Sequence, residues 1–247
     1  MDGLAPLDFG AVWQYRVPFA WGLWTTVWIA AVAFAIAVPA GLILAWGRIR
    51  GRWWVNLPIM GFVDVMRFTP LLVQAVWIHF ALPALTGASM TATQSGLLAL
   101  TLHVSAYVCD ILRAGIVAIP KGQWEAARAL GLRNRHTVVR VVLPQVWPLV
   151  LPPLANVAVG TFKLTAILGI LAIDDMMKVA NRINNMVFRP VEIYTAVAGA
   201  YLLVGLLLTA GANAVERRFG AARQAGRMRR AQAMGRPGAL AGRPDGA

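Results

Sequence analysis

Residues 125–144 read EAARALGLRNRHTVVRVVLP, and this stretch decides how the chain is organised. Glu125, four arginines and a histidine stand in the middle of a 247-residue chain that is 59% hydrophobic and only 13% charged. Soluble domains carry about 25% charged residues, so the composition already points to a bilayer. On either side of the stretch the charges vanish: residues 17–47, 68–109 and 193–215 contain no Asp, Glu, Lys or Arg. A helix needs roughly 20 apolar residues to cross hydrocarbon. The first and last runs therefore hold one span each, and the middle run holds two joined by a turn. The chain reads as an all-α integral membrane protein with five transmembrane helices, at residues 20–46, 66–85, 95–119, 146–173 and 193–215. Pro148 and the pair Pro152–Pro153 interrupt the fourth span and predict kinks in it.

Five spans put the termini on opposite sides. Arg48–Arg67 carries four basic residues, Lys121–Arg140 five and the tail from Glu216 onward eight, together 17 of the 23. The positive-inside rule assigns that side to the cytoplasm, so the N-terminus is expected outside and the C-terminus inside. Trp21 and Trp24 suit the outer interface, and Trp46, Trp53 and Trp54 the inner one. Residues 1–19 form an extracytoplasmic segment, too acidic for a secretory leader, with Asp2 and Asp8 against Arg16. Residues 20–219 form the transmembrane domain. Residues 220–247, rich in Arg, Gly, Ala and Pro without apolar periodicity, read as a disordered basic tail. Its arginines act first as a topology signal, with attraction to anionic lipid headgroups as the alternative. The net charge of +13 does not indicate nucleic acid, because the basic residues fill gaps between apolar runs instead of forming one face. One cysteine, Cys109, allows no disulfide and no cysteine metal cluster within the chain.

The opening stretch thus lies in the cytoplasm, within a segment at 121–144 between the third and fourth spans. Ala126, Ala127, Ala129 and Leu130 predict a short helix with a small, smooth apolar face. Glu125 is placed near its start, where a carboxylate complements the helix dipole. Gly131 allows a turn, and RNRHTVVRVVLP begins a second amphipathic helix that Pro144 limits. Small residues permit close approach of another surface. Composition alone leaves two readings equal: a docking element for a soluble partner, or an ordinary surface-lying helix.

The spacing Glu-Ala-Ala, Gly131, Val141, Leu143-Pro144 resembles the cytoplasmic EAA signature of ABC importer permeases, with Val141 where that family most often has Ile. TPLLVQ (Thr69–Gln74), IPKGQWEAARALGL (Ile119–Leu132), VVLPQ (Val141–Gln145), LPPLAN (Leu151–Asn156) and FRPVEIY (Phe188–Tyr194) resemble the polar amino-acid branch. SAYVCDILRAGI (Ser105–Ile116) is similar both to that branch and to permeases for ectoine-type compatible solutes. The matches run in order through residues 20–219. The resemblance implies a type I ABC importer permease fold, multi-pass in a bacterial inner membrane. It implies that Glu125, Ala126, Ala127, Gly131, Leu143 and Pro144 couple the chain to a cytoplasmic ABC ATPase dimer. It further implies a second permease chain, the same or similar, and an extracytoplasmic solute-binding protein. ATP would be bound and hydrolysed by the ATPase, with no cofactor in this chain.

The motifs that are missing fit this division of labour. There is no G-x-x-x-x-G-K-[ST] phosphate cradle, no H-E-x-x-H pair and no G-x-S-x-G elbow. His79, His103 and His136 are too scattered for a metal site and are expected to be packed or hydrogen-bonded.

Charges at bilayer depth are costly, so those inside the spans are the candidates for the substrate path. Asp110 and Arg113 lie three apart on one helical face and are expected to neutralise each other, or Arg113 to snorkel to the inner interface. Lys163 has no charged neighbour in sequence and could pair with a solute carboxylate, with Asp110 meeting the solute ammonium. Gln74 and Thr165 complete the candidate set. Many amino-acid permeases carry an acid where this chain has Leu164, which leans the substrate toward a neutral or zwitterionic solute. Phe68 replaces the glycine common in that family before Thr69-Pro70. The competing function is a stand-alone channel or carrier gated by Asp110, Arg113 and Lys163; it has no need of a docking helix, and the five spans show no paired halves.

Overall fold

The computed structural model describes residues 7–234, which form nine helices: α1 (Gly10–Gln14), α2 (Arg16–Arg50), α3 (Trp53–Phe68), α4 (Leu71–Thr86), α5 (Ala92–Val117), α6 (Lys121–Ala129), α7 (Asn134–Leu171), α8 (Met176–Val187) and α9 (Pro190–Met234). Four of them, α2, α5, α7 and α9 as far as Val215, are long and apolar enough to cross a bilayer, and α3 with α4 makes a fifth unit bent by 109°.

The bundle is organised around α2. Its buried positions are Phe19, Gly22, Thr26, Ile29, Ala30, Ala33, Ala37, Gly41 and Ala45, a stripe of mostly small residues repeating every three or four. In hydrocarbon, helices associate through close packing, and small side chains let their backbones approach. A Cβ on Gly41 would stand 2.6 Å from Cβ of Val108 and 2.9 Å from the Ser105 carbonyl oxygen of α5. One on Gly22 would stand 2.9 Å from Cα of Met176 at the start of α8. The main core joins α2, α4, α5 and α7, with Ile29, Ala75, Leu100, Val104, Val108 and Val150 fully buried or nearly so. A second cluster packs Phe19 against Met176, Val179, Ile183, Ile193 and Val197 of α8 and α9. Outward, Leu202, Leu203, Leu206 and Leu207 of α9 are each about 60% exposed, a surface that water does not tolerate and lipid or another apolar helix does. Trp21 and Trp24 near one end of α2, and Trp46, Trp53 and Trp54 near the other, are all exposed, as aromatic belts require.

Three boundaries differ from those read in the sequence. Residues 53–65, outside the expected spans, form helix α3 together with 66–68, the expected start of the second span, which instead begins after a break at Thr69 (ψ 141) and Pro70. The proline ring bars its predecessor from the helical region, which ends α3 and makes the bend. Pro144 does not limit the amphipathic helix: α7 runs unbroken for 38 residues through Pro144, Pro148, Pro152 and Pro153. A widened π turn at Val138–Val142 precedes Pro144, which relieves the clash between its ring and the preceding turn. The Gln145 side-chain amide donates to the Val141 carbonyl at 2.7 Å in that same turn. At the C-terminus, α9 stays helical through Met234, past the limit at 219 expected from composition, and residues 235–247 of the tail lie outside the described residues.

Candidate functional site: the α6 platform and its arginine fork

Helix α6 starts at Lys121 because Pro120 supplies a fixed φ and an extended ψ (138) at the N-cap. Glu125 therefore sits in the second turn, not near the start, and the dipole role expected for it is lost. The C-terminus closes with a Schellman arrangement: the Leu132 N–H donates to the Ala127 carbonyl at 3.1 Å and the Gly131 N–H to that of Arg128 at 2.9 Å. This requires a left-handed residue, and Gly131 has φ +69 with no atom of the described residues within 4 Å of where a Cβ would stand. The glycine is there for its backbone and not for space.

One face of α6 is anchored. Ala127 is buried, Trp124 packs on the main core, and Ile119 is buried in the linker before the helix. The other face is open: Glu125, Ala126, Ala129 and Leu130 are exposed, Leu130 at 79%. Beside it a groove of about 310 Å³ is lined by Lys121, Trp124, Glu125, Arg128, Asn134 and Thr137. Leu143 and Pro144 do not line that groove. They stand on α7, where with Trp147 and Pro148 they border a separate apolar recess of about 520 Å³. The Gln145 amide reaches Gln123 at 3.4 Å and ties the foot of α7 to α6.

The ionisable residues of the spans are arranged differently from the sequence expectation. Asp110 does not pair with Arg113, which is exposed. One carboxylate oxygen of Asp110 accepts from Arg48 at 2.5 Å, and the other from Arg67. Held by two guanidinium groups, Asp110 is not free to meet a solute ammonium. Gln74 is likewise occupied: its amide donates to the Met66 carbonyl at 2.8 Å and to Thr69, and its Oε1 accepts from His103 Nδ1 at 3.2 Å. These bonds satisfy carbonyls left open by the α3–α4 break. Thr165 is buried and donates to the Phe162 carbonyl at 2.7 Å, whereas Lys163 is exposed and forms no ion pair among the described residues. His79 bonds to Ser95 at 3.0 Å, and His136 is exposed.

Sequence reasoning passed over Arg48, Arg67 and Asp175. Asp175, 1% exposed between α7 and α8, caps α8 by accepting from the Lys178 N–H at 2.8 Å, while its Oδ2 has no partner among the described residues. Desolvation by burial pushes its carboxyl up to about 6, with the capping N–H groups pulling the other way. The folded chain thus holds this proton more tightly than the unfolded chain, where the carboxyl titrates near 3.8. That contribution is complete below about pH 4 and is lost as pH rises through 6, a difference of about 3 kcal/mol at most. Asp175→Asn keeps the cap oxygen and removes the charge. In detergent it is expected to melt with the wild type at pH 4 and several degrees above it at pH 8. A melting difference that is the same at both pH values would contradict the assignment.

The structure thus presents an open helix face beside a groove, joined by a three-residue linker to a bundle of four apolar helices and one bent helix pair. Residues 37–221 match the family described as binding-protein-dependent transport system inner membrane component. The chain is 31% identical over 213 residues to the glutamine transport system permease protein of Escherichia coli (strain K12), covering 86% of this chain and 97% of that one. It is 34% identical over 200 residues to the arginine ABC transporter permease protein of Haemophilus influenzae, covering 78% and 90%. Among solved structures it superposes with TM-score 0.81 and 32% identity on a chain of an amino acid ABC transporter crystallised with histidines, covering 87% of this chain and all of the other. With its fold and its sequence in agreement, the chain belongs to the family of inner membrane components of binding-protein-dependent transport systems.

Proposed function

We propose that the chain is the membrane-spanning permease subunit of an ABC importer that moves a polar amino acid or related zwitterionic solute into the cytoplasm. The single observation that carries this reading is the exposed face of α6, Glu125, Ala126, Ala129 and Leu130, offered beside its groove in a chain of this family. The arginine distribution, 17 of 23 basic residues on one side, supports a cytoplasmic α6, an outer N-terminus and an inner C-terminus. A separate ATPase dimer binds and hydrolyses ATP; this chain holds no cofactor and performs no catalysis. A second permease chain completes the path, and an extracytoplasmic binding protein delivers the solute. Relatives named for glutamine and arginine support the amino-acid class.

Exposed Lys163 supplies a cation for a solute carboxylate, and Leu164 beside it supplies no acid for a cationic side chain. A neutral amino acid or a zwitterion of the ectoine type fits better than arginine. Arg113, exposed on α5, and buried Thr165 remain at the margin of that path, and Gln74 shapes it by holding the α3–α4 bend.

The test is co-purification of the tagged chain in mild detergent. The wild type is expected to retain a P-loop ATPase, and Glu125→Lys, which inverts the charge at the centre of the open face, to lose about tenfold of it while remaining folded, roughly 1.4 kcal/mol of docking energy. Full retention by the variant would remove α6 as the docking surface.

A further inference from the structure

Each oxygen of the Asp110 carboxylate is taken by a different helix. Arg48 comes from the last turn of α2 and Arg67 from the last turn of α3, 62 and 43 residues away in sequence. Arg67 also lies 5.5 Å above the Tyr107 ring of α5. The Nε atoms of both arginines are buried without a partner among the described residues, so the carboxylate is the contact that reconciles two partly desolvated cations. Seven residues earlier, two turns up the same face of α5, His103 holds Gln74 of α4. The two ties straddle the 109° bend at Thr69–Pro70. In the other direction α5 ends at Val117, and only Ala118, Ile119 and Pro120 separate it from α6, with Ile119 buried. There is little slack between the α6 platform and the fork.

We propose that the Arg48–Asp110–Arg67 fork is the positioning joint through which displacement of α6 is carried by α5 to the ends of α2 and α3 and to the α3–α4 bend. The inference rests on the reading of α6 as the ATPase docking helix. A carboxylate suits this role because it is rigid, accepts on both oxygens and cancels the repulsion between two guanidinium groups brought to one point. Asp110→Asn keeps volume and shape but leaves one oxygen and no charge. The two arginines then repel, and α2 and α3 no longer follow α5.

The experiment uses the assembled complex carrying Phe68→Cys, an exposed position at the end of α3, labelled with an environment-sensitive fluorophore; native Cys109 is buried. Emission is compared before and after trapping with ATP and orthovanadate, which after hydrolysis takes the place of the released phosphate beside ADP, a probe that does not depend on knowing the solute. The Phe68→Cys complex is expected to shift its emission on trapping. Addition of Asp110→Asn should leave ATPase retention and basal ATP hydrolysis intact and shrink that shift at least tenfold, and Asp110→Glu should recover part of it. A merely structural role would lower yield or melting temperature in both variants without separating hydrolysis from the shift. An unchanged shift in Asp110→Asn overturns the proposal. Should that variant fail to assemble, Arg67→Gln, which leaves the Arg48–Asp110 pair in place, is read the same way: a reduced shift supports the joint and a full shift overturns it. A Phe68→Cys complex that retains no ATPase marks failure of the docking reading itself, and the joint falls with it.

Discussion

Gly131→Val is expected to cut retention of the ATPase on the purified chain about thirtyfold, the largest loss from any single change on the α6 platform. The left-handed conformation at φ +69 costs an L-residue about 1–2 kcal/mol and a β-branched one the upper end or more. With roughly 2 kcal/mol against it the turn opens in most molecules, the Leu132-to-Ala127 bond is released, and α6 loses its fixed exit. At 1.4 kcal/mol per decade that is about thirtyfold in the docking-competent population. The cause is backbone conformation, since no atom of the described residues approaches the missing Cβ. Gly131→Asn, which tolerates the left-handed region, is therefore expected to retain most of the ATPase, and Gly131→Ala to fall between. Equal loss in the asparagine and valine variants would show that the bare backbone is itself the contact.

The spread of these effects follows what could be read from the sequence. Charge-free runs located the apolar spans because desolvating a charge in hydrocarbon dominates every local preference. The same rule failed at residues 53–65, most of helix α3, where charges such as Asp64 make a helix look like a loop between spans. Gly131 was legible because a left-handed exit leaves a residue-type signature. Asp110 was not. Its spacing to Arg113 suggested a local pair, yet the partners come from two other helices, and long-range pairs leave no trace in local spacing. Pro144 was misread for a related reason: the rule that proline ends helices assumes a regular preceding turn, and the π turn at Val138–Val142 removes that assumption. Lys163 lies where its position in the sequence placed it, in the fourth membrane-crossing unit, and it is exposed there.

The stripe on α2 was equally present in the sequence, and it carries the other large effect. Gly41→Leu is expected to destabilise the folded chain by about 3 kcal/mol or more and to leave little monodisperse protein after detergent extraction. The added Cβ would meet Val108 Cβ at 2.6 Å and the Ser105 carbonyl oxygen at 2.9 Å, both fixed to the α5 backbone, so no side-chain rotation relieves the overlap. Overpacking of a well-packed interface costs roughly 1–3 kcal/mol when side chains can adjust, and more when two backbones must separate. In a membrane the loss is compounded, because lipid offers no hydrophobic drive to hold parted helices together. Gly199→Leu on α9 is the control: Gly199 is exposed, no described atom stands within 4 Å of its Cβ position, and the added side chain joins the outward face of exposed Leu202 and Leu203. It should melt within a degree or two of the wild type. Equal behaviour of the two variants in a thermal-shift assay would mean that α2 and α5 do not pack backbone to backbone at Gly41. The platform would then have lost its base as well, because the arginine that α2 contributes to the fork, Arg48, lies only two turns beyond that contact.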